Sequence, residues 1–116
     1  MEILLARHGL SQANTNAVDP QQTGDHNIEL EDKGKKQALD LGAKIGDEFL
    51  QQALIYNSPY LRTRQTLDGI IEGAGAEKNN LIIYEDPRLR EVEHGFHGNN
   101  VGVQEPLREV HGYFYY

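Results

Sequence analysis

The sequence predicts an α/β domain built on a mainly parallel sheet. Three short apolar runs and two helical stretches alternate along the chain as strand, helix, strand, helix, strand, with turn residues between them. That order calls for right-handed crossovers and brings the carboxyl ends of the strands to one rim, where ligands bind in such sheets.

The first strand is expected at Ile3 to Ala6, a continuous apolar run of the kind that is buried on both faces. Residues 18–27, "VDPQQTGDHN", contain Asp-Pro and Thr-Gly and predict a loop. From Asp32 to Phe49 the spacing changes, and Ala38, Leu41, Ile45 and Phe49 form one apolar face of a helix. Lys36, Asp40, Asp47 and Glu48 solvate the other side. Ala53 to Asn57 is a second buried strand, ending in Ser58-Pro59, which suits a helix start with serine as cap and proline in the first position. The next helix carries Leu61, Leu67, Ile70 and Ile71 towards the core and is stopped by Gly73 and Gly75. Asn80 to Asp86 is the third strand, closed by Pro87. Past Gly95, "GFHGNNVGV" is loop-like, "QEPLREVHG" suits a short helix, and the chain stops in four aromatic residues, Tyr113 to Tyr116. Termini are usually polar, so this end suggests a chain cut inside a longer domain.

Composition narrows the function classes. A chain of 116 residues forms at most one small domain, and an apolar fraction of 38% without tryptophan gives it a modest core. No run is long and apolar enough for a membrane span, and no basic-then-apolar leader opens the chain, so no membrane partner is expected. The absence of cysteine excludes disulfides and thiolate metal sites and fits a cytoplasmic location. A formal net charge of -7 argues against nucleic acid as a partner. A small anion stays compatible with locally gathered arginines.

Such a gathering is predicted at the strand ends. The first strand delivers Arg7, His8 and Gly9, with Ser11 and Asn14 close behind; the second delivers Ser58, Pro59 and Arg62; the third delivers Arg88, Arg90 and Glu91. Guanidinium forks suit phosphate oxygens, and a helix N-terminus adds backbone donors. Each residue has a plainer alternative: a turn histidine for His8, a surface cation for Arg62, and an acidic neighbour, Glu93, for Glu91. Arg64 is expected to face elsewhere.

The residues also resemble a known family. "LLARHGLSQAN", "IELEDKGKKQA", "IYNSPYLRTRQT" and "LREVEHG" stand in the order found in the histidine phosphatases, the phosphoglycerate mutase-like superfamily, from about Ile3 to Gly95. The resemblance implies a phosphoglycerate mutase-like three-layer sandwich with a mainly parallel sheet, apparently truncated at its C-terminus. It makes His8 the phosphoryl acceptor and Glu91 the carboxyl that protonates the leaving alcohol. Arg7, Arg62, Asn14 and, as a weaker match, Ser11 become phosphate ligands. A small phosphorylated substrate is implied, with no metal or organic cofactor. Chemically, a neutral imidazole is a usable nucleophile at physiological pH, and fixed guanidiniums balance charge on a transferring phosphoryl group.

The chain also departs from the family pattern. The second histidine of the phosphate pocket has no counterpart, since His111-Gly112 stands only twenty residues past Glu91 behind a charged "REV". Residues 1–116 therefore read as an incomplete histidine phosphatase domain. Leu10 and Glu31 replace a frequent acidic or amide residue and a capping threonine. Three functions stay open: a phosphatase working through phospho-His8, a mutase-type phosphoryl transfer, and an inactive phosphate-binding domain. A metal site at Glu91, His94 and His97 is set aside because its spacing is loose and Gly95 breaks a helix. His26, His111 and the Lys33–Lys36 run are expected at the surface, and Gly95 and Gly98 form no P-loop. Oligomeric state is not legible.

Overall fold

The computed structural model describes residues 1–91. In chain order these form a short helix α1 (Pro20–Thr23), a 3-10 turn (Asp25–Asn27), α2 (Asp32–Ile45), α3 (Asp47–Gln52) and β1 (Leu54–Asn57). Then follow α4 (Leu61–Ala74), a 3-10 turn (Lys78–Asn80), β2 (Ile82–Glu85) and a last 3-10 turn (Pro87–Leu89). The strands β1 and β2 pair in parallel, with Leu54 opposite Ile82 and Asn57 opposite Glu85. Just past the ladder, the Asp86 amide donates to the Asn57 carbonyl at 2.8 Å. Both carboxyl ends thus reach one edge, as the α/β reading requires.

The helix pair α2 and α4 carries most of the packing, and it does so through glycine. A Cβ at Gly42 would overlap the carbonyl of Ile70, and one at Gly73 would overlap that of Leu39. The two helix backbones therefore touch directly. Ala38, Leu50 and Ile70 form the buried cluster, with Leu41, Ile45, Ile55 and Leu81 packed around it.

Several expectations are corrected. The stripe of α2 that is fully buried is Gly34, Ala38 and Gly42, while Leu41 and Ile45 sit at the margin of the core. The expected helix from Asp32 to Phe49 is two helices, parted at Gly46, whose φ of 82° side chains rarely adopt. That break turns Leu50, not Phe49, into the core. Ser58 and Pro59 precede α4, which starts at Leu61 with Tyr60 as its N-cap. The Ser58 hydroxyl instead accepts from the Tyr60 amide at 3.3 Å, forming a turn ahead of the helix. Gly73 lies inside α4, and only Gly75, in the left-handed conformation, ends it.

The largest correction concerns Ile3 to Ala6, which forms no strand. Ile3, Leu4 and Leu5 are exposed. A strand buried on both faces needs neighbours for its backbone groups and side chains. Among the described residues, the sheet holds β1 and β2 alone, and they pair with each other. Nor are those two strands buried on both faces: Ile55 packs on the helices, whereas Leu54, Tyr56, Ile82 and Tyr84 face outwards. Tyr56 and Tyr84 stack there with centroids 5.3 Å apart. The sequence expectations for residues 92–116, including the short helix and the aromatic end, lie outside the described residues.

Candidate active site

The turn after Ala6 is fixed by a polar chain running into α4. His8 is half-buried, and its Nδ1 lies 2.7 Å from the Gly9 carbonyl. A carbonyl only accepts, so Nδ1 carries the proton and donates; in the neutral ring the lone pair is then on Nε2. The next amide, Gly9 N–H, donates to Thr66 Oγ1 at 3.1 Å, and that hydroxyl donates on to the Arg62 carbonyl at 2.7 Å. Thr66 stands one helical turn after Arg62 on the same buried face. Gly9 also meets Gly34 so closely that a Cβ there would overlap the Gly34 backbone. His8 is therefore placed by α2 and α4 together.

Arg62 is buried, with a side chain only 6% exposed. Its Nη1 donates to the Asp25 carbonyl at 2.6 Å and to Asp25 Oδ1 at 3.1 Å, and Nη2 reaches Oδ2 at 3.5 Å. The guanidinium carbon lies 5.1 Å from the centroid of the Tyr60 ring. Withdrawing a cation from water costs several kcal/mol, and these partners offset it.

Ser11 and Asn14 are joined to each other. The buried Ser11 donates to Asn14 Oδ1 through both its amide, at 3.0 Å, and its hydroxyl, at 2.9 Å. Those bonds hold the oxygen end of the amide and leave Nδ2 as its outward donor. An antiparallel bridge pairs Ser11 with Leu30, and the Leu30 amide donates to Gln65 Oε1 at 2.8 Å. Thr15 Oγ1 donates to Glu31 Oε1 at 2.7 Å, so the residue standing in the capping position holds this loop instead.

The expected site residues thus fall into separate groups. Thr66 links the main chain beside His8, at Gly9 N–H, to the main-chain carbonyl of Arg62, and Ser11 holds Asn14, while Arg7 is exposed at the start of the turn. Just past β2, Arg88 is paired with Asp86, whose carboxyl that pairing holds at about 2 against an ordinary 3.8. Arg90 and Glu91 lie exposed at the limit of the described residues. His94 and His97, needed for the metal alternative, lie beyond them.

Sequence reasoning missed Asp25 and Thr66. Thr66 had a signal, being a small polar residue four positions after Arg62 on a helix face otherwise apolar. Asp25 had none, since an acidic residue in a polar loop reads as solvated surface.

Comparison with known proteins agrees with this architecture. The model of the histidine phosphatase superfamily (branch 1) matches residues 3–110. The chain belongs to that superfamily. It is 34% identical over 119 residues to the phosphoglycerate mutase-like protein AT74H of Arabidopsis thaliana, covering 93% of this chain and 40% of the relative. Against AT74 of the same plant it is 34% identical over 128 residues, covering 98% and 39%. Phosphoglycerate mutase 3 of Saccharomyces cerevisiae is 30% identical over 96 residues, covering 78% and 30%. A crystal structure of SixA from Agrobacterium tumefaciens, assigned as a phosphohistidine phosphatase, shares the fold with a TM-score of 0.57 at 17% identity, covering 91% of this chain and 57% of that one. The chain thus spans about 40% of the length of the two plant relatives.

Proposed function

We propose that this chain carries the nucleophile side of a phosphomonoesterase site, with His8 as the phosphoryl acceptor. The observation that carries the reading is the Nδ1–H to Gly9 carbonyl bond, which fixes the tautomer and orients Nε2 as the nucleophile. In the first step Nε2 attacks phosphorus, the ester P–O bond breaks, and Glu91 gives its proton to the departing alkoxide. In the second, water attacks the phosphohistidine, Glu91 takes a proton back, the P–N bond breaks, and inorganic phosphate leaves. Arg7 and Arg62 balance charge on the phosphoryl oxygens, and Asn14 Nδ2 adds a donor that Ser11 holds in place. Small phosphorylated molecules are the substrates of this reading, and a cytoplasmic location accompanies it.

Residues 1–116 are, in the same proposal, one part of a histidine phosphatase domain whose second pocket histidine is not on this chain. A second reading is a phosphate-binding domain without turnover. The test is to supply a generic phosphomonoester and a phosphorylated hydroxy acid to the wild type and to His8→Ala. Release of inorganic phosphate by the wild type alone supports the phosphatase. An isomeric phosphoester makes it a mutase. Phosphate binding with no product in either chain supports the second reading, and turnover surviving in His8→Ala refutes the nucleophile.

A further inference from the structure

The arginine assigned to phosphate already holds an anion from its own chain. Asp25 offers Arg62 two carboxylate oxygens and one carbonyl, and the two carboxylate arms are met by different guanidinium nitrogens. That is the fork geometry in which arginine also takes two phosphate oxygens. We infer that Asp25 is a positioning residue whose carboxylate occupies Arg62 as a built-in anion, which a phosphate dianion replaces on the same nitrogens. The inference rests on the reading of Arg62 as a phosphate ligand.

The geometry makes the exchange local. The short bond, 2.6 Å, runs to the Asp25 carbonyl, whereas the carboxylate arms measure 3.1 and 3.5 Å. Losing the carboxylate leaves the carbonyl anchor and the Tyr60 ring to hold the guanidinium plane. The Asp25 side chain is 44% exposed, against 6% for Arg62, so the carboxylate has water to move into while the arginine does not. It also belongs to a three-residue turn entered through Gly24 at φ 81°, so its motion unpicks neither α2 nor α4.

Occupancy of this kind selects among ligands. A carboxylate ligand gains little by replacing a carboxylate already in place. A phosphate dianion brings a second charge and further oxygens for Arg7 and Asn14. The device therefore favours phosphomonoesters over carboxylates and other monoanions at the same arginine.

The experiment titrates the 116-residue chain with inorganic phosphate and with acetate by calorimetry, in the wild type and three variants. Asp25→Asn should bind phosphate roughly tenfold tighter, a factor equivalent to about 1.4 kcal/mol, and should gain acetate binding. Asp25→Glu, which keeps the carboxylate, should return to wild-type affinity. Phosphate should also raise the melting temperature of Asp25→Asn more than that of the wild type, because the ion replaces the missing carboxylate beside a buried cation. A purely structural Asp25 predicts unchanged or weaker phosphate binding and an equal or smaller rise in melting temperature; either result overturns the inference. Arg62→Ala separates the two levels. If it abolishes phosphate binding while Asp25→Asn does nothing, the built-in anion is wrong and the phosphate site stands. If it leaves phosphate binding intact, the assignment of Arg62 falls and the built-in anion with it.

Discussion

Replacing Thr66 by valine removes one hydroxyl, keeps the volume, and tests whether α4 positions the histidine turn. The hydroxyl accepts from Gly9 N–H at 3.1 Å and donates to the Arg62 carbonyl at 2.7 Å, and Thr66 is 6% exposed. As an interior carbonyl of α4, that of Arg62 keeps its helical donor, so the second bond is lost without orphaning a group. Gly9 N–H, in contrast, loses its partner in a half-buried place. A net hydrogen bond is worth about 1 kcal/mol, and an unmet buried donor costs about 1–3 kcal/mol. Partial access of water to Gly9 puts the sum at about 1–2 kcal/mol. In urea, with a slope of about 1–1.5 kcal/mol per molar for a small domain, the midpoint should fall by roughly 1 M. The Gly9 amide should also be the backbone resonance that moves most, and Thr66→Ser should restore both readouts in large part. A valine variant whose midpoint stays within about 0.2 M of the wild type, with an unmoved Gly9 amide, would refute the relay.

Two further outcomes check other parts of the account. Gly42→Ala should destabilise the chain by about 1–2 kcal/mol in the same denaturation, although alanine is the better helix former by about 1 kcal/mol; an unchanged or more stable variant would show that α2 and α4 do not meet at the Ile70 carbonyl. Arg88→Ala should raise the Asp86 carboxyl part of the way from about 2 towards 3.8, followed by carboxyl NMR, with the rest of the depression kept by the backbone bond at position 88. Because pairing lowers that carboxyl, its stabilising effect is present above about pH 4 and fades as pH falls towards 2. The variant should therefore lose less stability over that interval than the wild type, and an unmoved Asp86 would contradict the pairing.

What was legible in the sequence follows from how much each element depends on others. The β1–α4–β2 unit was readable because apolar runs bounded by Ser58-Pro59 and Pro87 specify local structure and pair with each other. Ile3 to Ala6 was not, since an apolar run becomes a strand only when backbone partners lie beside it. The face of α2 was read in part: Ala38, Leu41 and Ile45 reach the core as expected, but glycine carries no hydrophobic signal, and Gly34 and Gly42 make the closest approaches. His8, Arg62 and Asn14 stood out through motif and spacing. Their supports did not, because Asp25 acts across 37 residues of sequence from Arg62, and Thr66 across 57 from Gly9.

The most direct test of the central claim is to map the phosphoryl group on the chain itself. After exposure to a small-molecule phosphodonor, mass spectrometry and phosphorus NMR should find one acid-labile, alkali-stable adduct, on Nε2 of His8, absent in His8→Ala. That position follows from the Nδ1–H bond to the Gly9 carbonyl. An adduct on Nδ1, or one that survives the loss of His8, would contradict the account.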